Sequence, residues 1–245
     1  VIPKGRYRMK IPFYQKLTLL DYPEKTAATV FTDGCNFRCP FCHNASLVVR
    51  HPDEYLETDD VFEFLKKRTG LLDGVCITGG EPLLQNDLEE FIRTIKDMGF
   101  LVKLDTNGSF PERLEKLLKE KILDYVAMDV KNSPEKYPKT IGITAPGPER
   151  ITETISASMK YIAQLAPDYE FRTTTVASFH EPDDFKKIGK WIAETASPDA
   201  KYYIQCFKDS GDIIENNLAA PDENALEACK NAALPYLRNT MLRGI

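Results

Sequence analysis

Apolar and polar positions along the chain follow two alternating rhythms. Short apolar or β-branched runs predict six strands: AATVFT at 27–32, GVCIT at 74–78, FLVKLD at 100–105, DYVAMDV at 124–130, YEFRTTTV at 169–176 and KYYIQCF at 201–207. Between them the apolar spacing changes to three and four residues. Val61, Phe62 and Leu65 share one face of a helix for which Thr58 is the expected N-cap, and Leu88, Phe91, Ile92 and Ile95 share one face of a helix over 86–98. A third helix over 111–121 carries Pro111 in its first turn, where a missing amide costs nothing. Helices over 151–165, 183–196 and 221–234 complete the series, and residues 10–25 read as an extended lead-in. Strand–helix order repeated in this way implies parallel strands joined by right-handed crossovers. The pattern predicts an α/β fold, an incomplete parallel (β/α)6 barrel, since the chain has no room for the two further units of a closed eight-stranded one.

Length and charge narrow the function classes. The 245 residues fit one domain over 10–245, with residues 1–9 as a disordered or appended lead. A net charge of −5 argues against a protein that holds nucleic acid by neutralising phosphates. No apolar run is long enough to span a bilayer, and VIPKGRYRMK lacks the apolar centre of a signal peptide, so the expected setting is the cytoplasm, with no membrane partner. Six cysteines in a chain of this size read as reduced thiols rather than as a disulfide scaffold.

Three of those cysteines, Cys35, Cys39 and Cys42, fall within eight residues of CNFRCPFCHN. Soft thiolates select zinc, copper(I) or iron–sulfur clusters. His43 follows Cys42 too directly to swing easily onto the same metal as a fourth ligand. A four-iron cluster takes one thiolate per iron, so three thiolates leave one iron open to a substrate. Cys76, Cys206 and Cys229 are scattered and form no second motif.

In β/α barrels the C-terminal strand ends make the active face. The cysteine loop follows the first predicted strand, Gly79-Gly80-Glu81 the second, Asp105-Thr106-Asn107-Gly108 the third, and Asp129-Val130-Lys131 ends the fourth. Two glycines let a backbone approach a ligand closely, and they also suit a plain strand-to-helix turn. Asp105 and Asp129 end adjacent strands, so their like charges need a proton, a cation or a basic partner. Arg172, in the fifth strand, can serve a ligand carboxylate or an acidic side chain.

From about Phe13 onward, LTLLDYPEKTAATVFTDGCNFRCPFCHN together with GGE, DTNG and DVK resembles the radical S-adenosylmethionine (SAM) enzymes. Within them it is most similar to activating proteins of glycyl radical enzymes, foremost anaerobic ribonucleoside-triphosphate reductase, then pyruvate formate-lyase. The resemblance implies a barrel of radical SAM type and one 4Fe–4S cluster on Cys35, Cys39 and Cys42, whose open iron takes the amino and carboxylate groups of SAM. It implies Phe41 beside the adenine, His43 in the CHN signature, and Gly79, Gly80 and Glu81 at the SAM amino group. Asp129 and Lys131 then lie beside SAM, with Lys131 at its carboxylate. Arg172 falls at the carboxylate or ribose, and Asp105, Thr106 and Asp129 around a small cation. The implied reaction is reductive cleavage of SAM to methionine and a 5′-deoxyadenosyl radical, which removes hydrogen from a glycine of the partner enzyme. Flavodoxin or ferredoxin would supply the electron. Lys208 stands where pyruvate formate-lyase activase carries a histidine, so that role is left unassigned. A radical SAM enzyme for a small molecule is the rival, opposed by CHN and LLDYP. A zinc or electron-transfer module would leave GGE, DTNG and DVK unexplained.

Overall fold

The computed structural model describes residues 9–143 and 148–244. One eight-stranded sheet runs in sequence order: β1 (Phe13–Thr18), β2 (Ala27–Thr32), β3 (Gly74–Gly79), β4 (Leu101–Thr106), β5 (Tyr125–Asp129), β6 (Tyr169–Thr175), β7 (Lys201–Cys206) and β8 (Asn239–Arg243). Strands β2 to β8 are parallel and β1 is antiparallel to β2. No ladder joins β8 to β1 among the described residues, so the barrel stays open.

The six predicted strands are β2 to β7, and the incomplete (β/α)6 barrel stands, widened by one strand at each edge. The lead-in folds as β1 because Phe13 stacks on Phe31 at 4.4 Å and Tyr14 packs on Phe64. Its residues are mostly exposed, which is why no alternation announced it. β8 is only NTMLR, too short and polar to register as a strand, and is held by its ladder to β7.

Around the sheet lie α1 (Thr58–Lys66), α2 (Leu88–Asp97), α3 (Pro111–Lys119), the four-residue α4 (Tyr137–Thr140), α5 (Pro148–Leu165), α6 (Pro182–Thr195) and α7 (Glu223–Ala233). Thr58 is the first residue of α1 and not its cap; Glu57 holds the cap position without a side-chain bond. Two caps do use side chains: Asp222 accepts from the amide of Ala225, and Glu181 and Asp184 form a reciprocal box on α6. Among the described residues no helix is long and apolar enough to cross a membrane. Of the lead expected over residues 1–9, residues 1–8 lie outside the described residues, while Met9 is buried in the core.

Period-two alternation separates two environments. Val102 and Leu104 of β4, and Phe171 of β6, point into an apolar layer shared with Phe91, Ile92, Leu118 and Ile188 from the helices. The intervening residues face the barrel interior and are polar. Lys103, 1% exposed, pairs with Asp105, and Glu170 takes a two-pronged bond from Arg243 at 2.8 and 3.0 Å while accepting from the Tyr125 hydroxyl at 3.0 Å. In these two sets the buried charges are matched.

Arg243 thus anchors the last strand. Arg243→Ala leaves the Glu170 carboxylate with the tyrosine alone, and a loss of about 1–3 kcal/mol is expected, read as a lower urea midpoint with an unchanged slope. An unaltered midpoint would mean that the pair contributes nothing.

Candidate active site

The polypeptide must turn sharply after β2 to carry three cysteines in eight residues, and four separate segments fix that turn. Gly34 donates to the Leu47 carbonyl and accepts from the Glu81 amide, both at 2.8 Å. The Arg38 amide donates to Ile141 at 2.8 Å, and the Pro40 carbonyl accepts from Glu215 at 2.9 Å. Asn44, the last residue of CHN, donates its side-chain amide to the Gly79 carbonyl at 2.9 Å. Asp212 accepts from the amide and hydroxyl of Ser46 and pairs with Arg50, tying down the residues that follow.

These constraints bring all three thiols to the wall of one cavity of about 230 Å3 at the C-terminal ends of the strands. Phe41, His43, Gly79, Gly80, Asp105, Thr106, Asp129, Lys131 and Arg172 line the same cavity. All six cysteines are free. Desolvation pushes the Cys35 thiol up to about 11 and Cys39 to about 12, and raises Cys42 as well. Among the described residues no three Cys, His, Asp or Glu side chains converge closely enough to hold a single metal ion.

Glu81 is placed differently from the expectation. It is fully buried, lies outside the cavity lining, and accepts from the Leu83 amide (3.0 Å), the Thr106 hydroxyl (2.9 Å) and the Asn107 amide (2.7 Å). It joins the β3 loop to the β4 loop. The glycines before it answer first to the backbone: a Cβ on Gly80 would lie 2.0 Å from the Gly34 oxygen, and one on Gly79, at φ +109°, 2.4 Å from the Thr32 oxygen.

Asp105 and Asp129 do meet at the rim, and basic side chains already sit between them. Arg172 donates to Asp129 at 3.0 Å and to Asp105 at 3.2 Å, Lys131 reaches Asp129 at 2.9 Å, and Lys103 pairs with Asp105. Burial opposes charge on both acids, but Arg172 with Lys103 holds Asp105 below the usual carboxylate range, and Arg172 with Lys131 holds Asp129 well below it. Burial likewise opposes the charge on Lys131, which Asp129 more than restores. Phe41 is buried edge-on against Phe179 and His180, and His43 lies beside Phe207. The sequence reading missed Thr174 and Gln205, which line the cavity from β6 and β7. The alternation of YYIQC, with Tyr202 and Ile204 turned to the apolar layer, was the available signal. Lys208 is exposed and does not line the cavity.

The description of the radical SAM superfamily matches residues 29–166. A protein of Methanocaldococcus jannaschii provisionally named a glycyl-radical enzyme activating enzyme is 35% identical over 235 residues, spanning 94% of this chain and 93% of its own length. A second protein of that organism with the same provisional description is 31% identical over 215 residues, spanning 86% of this chain and 78% of its own. In fold the chain is similar to Streptococcus suis SuiB bound to S-adenosylmethionine, with a TM-score of 0.61, 16% identity, and coverage of 86% of this chain and 48% of that one.

Burial pushes the Glu81 carboxyl up to about 7 against the three hydrogen bonds it accepts. The folded state therefore keeps a proton that the unfolded chain releases near pH 4.5, so this group lowers stability as pH rises from about 4.5 to 7. Glu81→Gln is expected to remove that slope from the urea midpoint measured across the window. Parallel profiles for the two proteins would show that Glu81 does not titrate there.

Proposed function

The chain belongs to the radical SAM superfamily, and on that premise we propose that it generates a glycyl radical on a partner enzyme, anaerobic ribonucleoside-triphosphate reductase in particular. It is a radical SAM enzyme and uses a 4Fe–4S cluster and SAM. The observation that carries the reading is the set of three thiols on the wall of one cavity. Burial makes their free thiolates unfavourable, so the set suits a bound metal cofactor. A cluster that accepts three sulfurs and leaves one iron for another ligand suits such a set.

Cys35, Cys39 and Cys42 are the cluster ligands in this reading. Gly79 and Gly80 offer backbone to the amino group of SAM, Lys131 offers charge to its carboxylate, and Phe41 and His43 border the adenosine. Arg172 balances Asp105 and Asp129 and holds both at the rim. With Lys103 and Lys131 it occupies the electrostatic role otherwise open to a small cation at Asp105, Thr106 and Asp129. Glu81 shapes the loops that carry these groups. A reduced cluster held by Cys35, Cys39 and Cys42 would supply one electron to break the sulfonium C–S bond of SAM, releasing methionine and a 5′-deoxyadenosyl radical able to remove a hydrogen atom from glycine.

The glycyl radical partner is supported by the full-length similarity to the two provisionally named activating enzymes and by CHN and LLDYP in the sequence. An outside one-electron donor, flavodoxin or ferredoxin, completes the scheme, and free thiols suit the reducing cytoplasm.

Anaerobic reconstitution is expected to load about four iron and four sulfide per chain. SAM and a one-electron reductant then yield 5′-deoxyadenosine, and adding the reductase gives a glycyl radical doublet in electron paramagnetic resonance. Cys39→Ala brings both products to background. Stoichiometric zinc in place of iron would overturn the enzyme reading. Deoxyadenosine without a doublet on the reductase would overturn that partner.

A further inference from the structure

Cys35 differs from the other two thiols in what surrounds its sulfur. The side-chain amide of Asn107, at the end of β4, lies with Nδ2 3.7 Å from Cys35 Sγ, and the Phe37 amide donates to the same sulfur at 3.4 Å. The orientation of the Asn107 amide is fixed by a group with no ambiguity. The backbone N–H of Ser109 can only donate, and it points at Asn107 Oδ1 at 2.9 Å, so the nitrogen must face the sulfur.

A closed ring reinforces that orientation. Asn107 Nδ2 also donates to Asn36 Oδ1 at 3.0 Å, Asn36 Nδ2 donates to the Ser109 hydroxyl at 2.9 Å, and that hydroxyl donates to Asn107 Oδ1 at 2.5 Å. Each side chain gives in the same sense around the ring. The main chain is held as well, since the Asn107 amide donates to buried Glu81 at 2.7 Å. Asn107 is itself 6% exposed, so its amide does not exchange this arrangement freely for water.

We propose that Asn107 is a positioning residue that sets the ease of reduction of the cluster, by donating an oriented N–H to the sulfur of Cys35. This rests on the cluster reading of the three cysteines. A hydrogen bond to a ligand sulfur favours the more negative, reduced state, and is one of the levers that spread iron–sulfur potentials widely. A side-chain donor locked by Ser109 and Asn36 supplies that lever without depending on bound SAM.

The test is a redox titration of the reconstituted protein without SAM, followed by electron paramagnetic resonance, with iron content measured in parallel. Asn107→Leu keeps the approximate size and removes the donor. Reduction is expected to become about tenfold less favourable, as for one lost charge-assisted hydrogen bond, which is about 59 mV more negative for one electron. Ser109→Ala, which opens the side-chain ring but leaves the backbone N–H of residue 109 on Asn107 Oδ1, is expected to shift the equilibrium in the same direction by a smaller factor. A fully loaded Asn107→Leu protein whose midpoint matches wild type within twofold overturns the proposal. If Asn107→Leu does not load, Asn107→Ala, which also removes the donor, decides, and a loaded Asn107→Ala protein with the wild-type midpoint overturns the proposal too. Failure of the cluster reading looks different: wild-type protein then holds no cluster at all.

Discussion

Three thiols can be offered to one cofactor only if the backbone that carries them cannot relax, and close contact between Gly34 and Gly80 provides that constraint. The Gly34 carbonyl is packed so tightly on Gly80 that no side chain fits between them, and it accepts the next amide, that of Glu81. The cysteine loop and the β3 loop are thereby one unit. Asn44 closes it on the other side through the Gly79 carbonyl. The distant segments at Ile141, Asp212 and Glu215 then hold the loop down, so its geometry depends on the whole barrel and not on local sequence.

Electrostatics extends the same unit into the barrel. Buried carboxylates at Asp105, Asp129 and Glu170 would be very costly alone, and each is matched by a lysine or arginine from the same strand or from one or two strands away. Arg172 is central, because it bridges the ends of β4 and β5 from β6. The cavity is thus bounded by thiols on one side and by an ion-paired layer on the other. Such a floor is polar and fixed by its ion pairs.

Strands β2 to β7 were legible because each is a short apolar run bounded by glycine, proline or charged residues. The placement of the cysteines and of Asp105, Asp129, Lys131 and Arg172 on one rim followed from that order. β1 and β8 were not legible, since their stability comes from edge pairing and from contacts such as Phe13 on Phe31 and Arg243 on Glu170, which leave no periodic trace. Glu81 shows the limit of motif reading: its three hydrogen-bond partners lie in two loops far apart in sequence, so nothing local said that it turns inward. The glycines were expected to admit a ligand, and the structure adds a prior demand from the backbone. Asn107 stood in the motif after the third predicted strand with no role of its own, and only the fold brings it to Cys35.

The central claim is that three cysteines hold the cluster and leave one iron to SAM. Electron–nuclear double resonance on the reduced, reconstituted protein, mixed with SAM labelled with 15N in its amino group, tests it most directly. The account predicts a 15N coupling to the cluster that is absent with unlabelled SAM. A cluster spectrum with no such coupling at saturating SAM would contradict it.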